Sequence, residues 1–221
     1  MLITNLQDRV VVLAGSSGRL GVITRPLLEA AGALVFGIDA QEGPATDHSA
    51  DLTNEAAVAD AFAAATSRYG RIDSLVHVVG TWDMAPLHET SLDHWNRIID
   101  VNLTSVFLCF REVTRHLVSS EKGGRLVAVS ARPGITRGTA QQGPYAVSKA
   151  GVARLVEAVT DEYGERGITA AAIAPSMILF GDEKPGTGGA PAEDIARGCV
   201  YLAGEGGATH AGAVLPFYGN G

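Results

Sequence analysis

Seven short β-rich runs alternate with helical stretches along the whole 221-residue chain. The runs are residues 9–14, 33–38, a short one just before Asp51, 74–79, 125–130, 169–174 and 213–217, and they are nearly continuously apolar. A strand that is apolar on both faces needs cover on both faces, and parallel sheets supply it through their crossover helices. Helical patterns fill 20–31, 54–69, 92–118, 144–165 and 192–203. Pro191 ahead of the last, with Glu193 and Asp194 in its first turn, is a helix start signal. Without a composition break, residues 1–221 read as one α/β domain built on a parallel sheet. The stretch 181–190, GDEKPGTGGA, is the one long irregular segment and reads as a lid or a surface loop.

The first run ends in AGSSGRLG and opens directly into a helix. Gly15, Gly18 and Gly21 stand where a backbone must turn tightly, approach a pyrophosphate and pack helix on strand. Ser17, Arg19 and Leu20 complete the loop and count with the glycines as candidate cofactor contacts. Asp39, at the end of the second run, occupies the position that binds an adenosine ribose. Its carboxylate would repel a ribose 2′-phosphate by about 4 kcal/mol at ~4 Å and an effective dielectric near 20. NAD is therefore favoured, while Arg19, able to reach a 2′-phosphate, keeps NADP open.

Tyr145 and Lys149 in the run YAVSK are spaced i and i+4 on a helical pattern, so they share a face one turn apart. A free phenol titrates near ~10, and a cation within about 4 to 6 Å favours its phenolate. Bringing it to roughly 7 takes on the order of 4 kcal/mol, which one lysine and the positive ring of an oxidised nicotinamide are expected to supply together.

Composition narrows the function classes. Lys and Arg number 17 against 24 Asp and Glu, a net charge of −7, with no basic run to meet nucleic acid or an anionic membrane. Cys109 and Cys199 lie in apolar helical patterns, which fits a reducing, cytoplasmic setting without disulfides. The six histidines are scattered, so no metal site is expected. No signal peptide or membrane-length apolar run is read in the sequence.

With these motifs in order, the chain resembles the short-chain dehydrogenase/reductase family from Asp8 to Tyr218. The carriers are the loop from Gly15 to Gly21, Asp39, Asp51 with Leu52, Gly80 after the fourth run, Asn102 in DVNL, YAVSK, Pro175 and the ending AGAVLPFYG, and Val79, the last residue of the fourth run, counts with Gly80 as a candidate cofactor contact. The resemblance implies a Rossmann-like, doubly wound fold with Tyr145 as catalytic acid/base. Lys149 would bind the nicotinamide ribose and lower the tyrosine pKa, and Asn102 would hold a proton-relaying water. Asp51 and Leu52 would contact adenine, and the backbone of Ile178 the carboxamide. It further implies a homotetramer or homodimer assembled through the helices at 92–118 and 144–165.

Three departures bear on the chemistry. The glycine spacing is G-x-x-G-x-x-G, with Arg19 where the family has its middle glycine. His77, Val78, Val79 and Gly80 replace the family's N-N-A-G, and His77 reads as a hydrogen-bonded structural residue. Ala131 falls at the usual catalytic serine. Ser130 one residue earlier, a later hydroxyl such as Thr136 or Thr139, or no hydroxyl at all then completes the site.

The expected activity is hydride transfer between NAD(H) and a small-molecule carbonyl or secondary alcohol, with Tyr145, Lys149, Asn102 and Ser130 as catalytic candidates. Two alternatives stay open. One is a cofactor-binding but catalytically silent sensor or assembly partner; the other is a serine-less reductase similar to dihydropteridine reductases. A sugar-nucleotide epimerase, whose loops more often show G-x-x-G-x-x-G, is expected to carry a larger C-terminal substrate region. Arg132 and Arg137 are loop arginines that would suit an acidic substrate.

Overall fold

A computed structural model describes residues 4–220. Seven parallel strands form the central sheet in the order β3-β2-β1-β4-β5-β6-β9. They are β1 (Val10–Ala14), β2 (Leu34–Asp39), β3 (His48–Ser49), β4 (Ser74–His77), β5 (Gly124–Val129), β6 (Ile168–Pro175) and β9 (Val214–Phe217). Strand order reverses between β1 and β4, so the crevice at their carboxyl ends is the topological switch point, where doubly wound sheets bind ligands.

Alternate residues of each strand feed two separate cores. Val12, Ala14, Leu75, Leu126, Ala128 and Ala172 face one side, under α2 (Glu55–Tyr69), α4 (Ser105–Ser119) and α6 (Gly143–Tyr163). Val11, Leu13, Val76, Val127, Ala171 and Ile173 face the other, under α1 (Gly21–Ala30) and α7 (Ala192–Ala203). All five residues of β1 and all eight of β6 are buried, which explains their unbroken apolar character. Helix ends follow local chemistry as well: the Asn54 side chain accepts from the Ala57 N–H to start α2, and Gly70, at φ 71°, ends it in the left-handed region.

The helix expected over 92–118 is present without a gap but is not α-helical throughout. Helix α3 (Leu92–Ile99) and α4 are joined by a π-helical turn, Asp100–Thr104, closed by the Ser105 N–H bonding to the Asp100 carbonyl. The extra residue rotates the following chain and leaves Asn102 fully buried against the sheet end. Strand β4 stops at His77, two residues before the expected boundary, because Val79 and Gly80 leave the sheet at the switch point. The segment after β6 holds a two-stranded pair, β7 (Ile178–Leu179) with β8 (Ala190–Pro191), which brackets the irregular stretch. Short helices α5 (Arg132–Ile135) and α8 (Gly206–Thr209) complete the elements used below. Among the described residues, no helix is long and apolar enough to cross a membrane.

Candidate active site

The glycine loop runs from the end of β1 into α1. Gly15 has φ 90°, a conformation that L side chains rarely adopt, and a Cβ there would meet Val79 Cγ2 at 2.8 Å. A Cβ on Gly21 would lie 2.0 Å from the Gly15 carbonyl oxygen. Both glycines thus hold backbone against backbone, and the loop turns on the Gly18 N–H donated to Gly15 O at 3.2 Å. In the first turn of α1 the Val22 N–H donates to the Gly18 carbonyl at 3.0 Å and the Thr24 N–H to the Leu20 carbonyl at 2.9 Å, so the loop ahead of them and the helix dipole form the cradle that suits a phosphate.

Asp39 closes this end of the site. Its carboxylate accepts from the Ser17 N–H at 2.9 Å and from the Gln41 N–H at 3.1 Å, so it is fixed beside the loop. The Ser17 hydroxyl meets the Thr46 hydroxyl at 2.6 Å. Arg19 turns away to the segment after β6, where its guanidinium pairs with Asp182 at 2.8 Å and stacks on the Phe180 ring at 4.0 Å. Sequence reasoning missed this latch, since residues 163 positions apart carry no spacing signal. Asp51 accepts from the Thr53 N–H and hydroxyl in the turn before α2, while Leu52 puts its side chain into the core.

Val79 and Gly80 connect the loop to the second half of the site. A Cβ on Gly80 would lie 3.2 Å from Asn102 Oδ1 and 3.3 Å from Lys149 Nζ. Gly15, Val79, Gly80, Asn102 and Lys149 therefore form one continuous strip across the sheet end. The Asn102 side chain accepts from the Thr81 N–H at 2.8 Å and donates to the Thr81 carbonyl at 2.9 Å. Both of its polar atoms are thus spent on fixing the loop after β4.

Helix α6 begins just before Tyr145 with Pro144, where a missing N–H costs nothing, and carries Lys149 one turn later. Lys149 is buried, donates to the Val129 carbonyl at 2.8 Å, and is pulled down to about 8 by burial. Its Nζ lies 5.9 Å from the centre of the Tyr145 ring. The phenol itself is pushed up to about 12 by burial, the reverse of the lowering expected from the pair. Desolvation disfavours the phenolate, and the ammonium that would offset it is turned toward Val129.

Ala131 is buried and extended at the end of β5. Ser130 donates its hydroxyl to the Lys149 carbonyl at 2.8 Å, which binds β5 to α6. Thr136 donates to the Arg132 carbonyl, and Thr139 sits on the exposed stretch before α6. Arg132 reaches over the Tyr218 ring at 5.7 Å, and Arg137 is exposed. Pro175 ends β6, and Ile178 is half-buried in the β7–β8 pair. Burial pushes the Cys199 thiol up to about 12 and Cys109 higher still, so neither acts as a nucleophile. Among the described residues, no group of three or more His, Cys, Asp or Glu is placed to hold a metal ion.

The family profile described as short chain dehydrogenase matches residues 9–183, a span that contains the whole strip. The chain belongs to the short-chain dehydrogenase/reductase family. It is 32% identical to cis-4-hydroxycyclohexanecarboxylate dehydrogenase of Sinomonas cyclohexanicum, with 94% of each chain covered. It is 31% identical to 3-oxoacyl-[acyl-carrier-protein] reductase of Synechocystis sp., over 79% of this chain and 76% of that one. The crystal structure of gox2181 superposes with a TM-score of 0.89 at 26% identity, covering 97% of this chain and 95% of the other. The Rossmann-like fold and oxidoreductase character of the family thus extend to this chain.

Proposed function

We propose that the protein is an NAD-dependent oxidoreductase of carbonyls or secondary alcohols, in which Tyr145 is the acid/base. The observation that carries this is the strip from Gly15 through Val79 and Gly80 to Lys149, which joins a phosphate cradle to a buried ammonium one helical turn from a phenol. The nicotinamide cofactor, when bound, supplies or accepts the hydride. Gly15, Gly18 and Gly21 would hold its phosphates, Asp39 its adenosine ribose, and Lys149 its second ribose. Arg19 engaged with Asp182 is withheld from a 2′-phosphate, which supports NAD over NADP.

A phenol pushed up to about 12 is fully protonated at neutral pH, so the resting form of Tyr145 is the proton donor for reduction. As that proton leaves, the Lys149 ammonium, charged below about 8, stabilises the phenolate left behind. Asn102 contributes by fixing Thr81 and hence Gly80 beside the lysine. The relative named for cis-4-hydroxycyclohexanecarboxylate supports a secondary alcohol as the reduced partner.

Ala131 favours a second reading. With Ser130 bonded to Lys149, the site offers no serine at the usual place for the substrate oxygen, as in a serine-less reductase or a catalytically silent binder. Removing one such donor typically costs 10² to 10³ in turnover, so catalysis is weakened rather than lost. Calorimetry on the purified protein is expected to give low-micromolar NADH affinity, with turnover of at least one cyclic or acyl carbonyl. Binding without turnover across such a panel would favour the silent binder, and binding of neither NADH nor NADPH would end the proposal.

A further inference from the structure

The connection from β2 to β3, residues 40–47, carries no helix and folds back onto the glycine loop. Its end is fixed by Asp47. The Asp47 N–H donates to the Gly37 carbonyl at 2.8 Å, and its carboxylate accepts from the Gly37 N–H and from the Arg25 and Arg68 guanidiniums. Arg25 also donates to the Ala45 carbonyl at 2.7 Å. Thr46 is thus held between two anchored residues. Earlier in the connection, Gly43 packs so closely that a Cβ there would meet the Ser17 hydroxyl oxygen at 3.1 Å.

The connection and the glycine loop share a closed ring of hydrogen bonds. Asp39 accepts from the Ser17 N–H and the Gln41 N–H, Thr46 donates its hydroxyl to the Gln41 carbonyl at 2.9 Å, and the Thr46 and Ser17 hydroxyls meet at 2.6 Å. The ring fixes where each proton lies. A carbonyl can only accept, so the single hydroxyl proton of Thr46 goes to Gln41. The Ser17 hydroxyl must then donate to Thr46, which leaves its oxygen as an acceptor close to the Asp39 carboxylate. With the Gly18 N–H given to Gly15, the N–H groups of Ser17, Gly18 and Gln41 and both hydroxyl protons are all spent within the protein. Ser17 and Asp39 nevertheless remain partly exposed.

A ribose diol and a ribose 2′-phosphate meet such an edge differently. The diol brings donors, which Asp39 and Ser17 can both accept. The phosphate brings anionic acceptor oxygens to a carboxylate and a bare hydroxyl oxygen, and an unpaired acceptor set against the wrong ligand is a source of selectivity. We infer that Thr46 is a positioning residue for cofactor choice: by taking the Ser17 proton, it makes the ribose edge of the cradle a surface of acceptors that admits a diol and refuses a 2′-phosphate. This rests on the reading of the loop and Asp39 as a dinucleotide site, and adds to the charge of Asp39 a residue that acts through Ser17.

Calorimetric titration with ADP-ribose and with its 2′-phosphate tests the inference, since the two differ only in that group and neither carries a nicotinamide. The parent is expected to favour ADP-ribose; equal binding of the two overturns the inference. Thr46→Val returns the Ser17 proton to the cradle and should raise affinity for the 2′-phosphate, relative to ADP-ribose, by about tenfold, the worth of one hydrogen bond to a charged group. Thr46→Ser keeps the hydroxyl and should restore the parent ratio to within about twofold. A fall of both affinities together in Thr46→Val, with the ratio unmoved, assigns Thr46 a purely structural role and overturns the inference. Ser17→Ala supplies the sign should Thr46→Val fail to fold. Removing a fixed acceptor raises the relative affinity for the 2′-phosphate, by about threefold, whereas removing a donor lowers it, and a lowered value overturns the inference. A parent that binds neither nucleotide ends the dinucleotide reading and the inference with it; an unmoved ratio in a parent that binds ADP-ribose removes the role of Thr46 alone.

Discussion

The two ends of the site are built from different materials. At the glycine loop, the candidate phosphate surface is backbone: Gly15 at positive φ, Gly21 pressed on Gly15, and the tight turn that leads into α1. The polar side chains there are already engaged, Asp39 with Ser17 and Gln41, and Arg19 with Asp182. At the α6 end the working parts are side chains held against their own solvation. Lys149 is buried with its pKa lowered, and Tyr145 is pushed up. A backbone cradle costs little in stability and fails by steric change. A buried ammonium is destabilising in the folded chain and fails by loss of charge.

The contrast can be broken first at the cradle. In Gly21→Ala the new Cβ collides with the Gly15 and Ser16 backbones, so the loop must open. We expect NADH affinity to fall at least tenfold in a calorimetric titration, and stability to fall by about 1–3 kcal/mol in urea melts. Lys149→Met should show the opposite coupling. Turnover falls about 10²-fold, yet the variant is more stable than the parent at pH 7, by about 2 kcal/mol after allowing ~1 kcal/mol for the bond to Val129. The sign follows from linkage. The lysine's folded pKa, about 8, lies below its ordinary 10.5, so the penalty of its burial is complete below pH 8 and fades as pH rises toward 10.5. The stability gap between variant and parent should therefore close over that interval, as read by thermal melts at fixed ionic strength. The smallest effect is expected at the latch, which joins two exposed side chains. Asp182→Asn frees Arg19 and should raise NADPH affinity a few-fold with NADH affinity unchanged, measured by competitive titration.

Much of this was legible in the sequence, for reasons that differ by residue. The sheet and its order of elements follow from β1 and β6 being buried on both faces, which forces unbroken apolar runs. The glycine loop was readable because positive φ and backbone contact are demands that glycine meets in any context. The i, i+4 spacing placed Tyr145 and Lys149 on one turn, yet the lowering of the tyrosine's pKa read from that pair is reversed by burial. The actual direction depends on how deeply the phenol is desolvated and on where the ammonium points, and the latter is set by Val129 of β5. The π turn at Asp100–Thr104 was likewise hidden, since one extra residue in a helix leaves the apolar period nearly intact. The Arg19–Asp182 latch and the pairing of Ser130 with α6 are long-range contacts between exposed or ordinary residues.

Tyr145→Phe, assayed beside the parent for both NADH affinity and carbonyl reduction, tests the central claim most directly. The hydroxyl is the proton donor in this account and holds no cofactor phosphate. Reduction should therefore fall by about 10² to 10⁴, with the NADH dissociation constant within twofold of the parent. Retained turnover, or loss of NADH binding in step with activity, would contradict it.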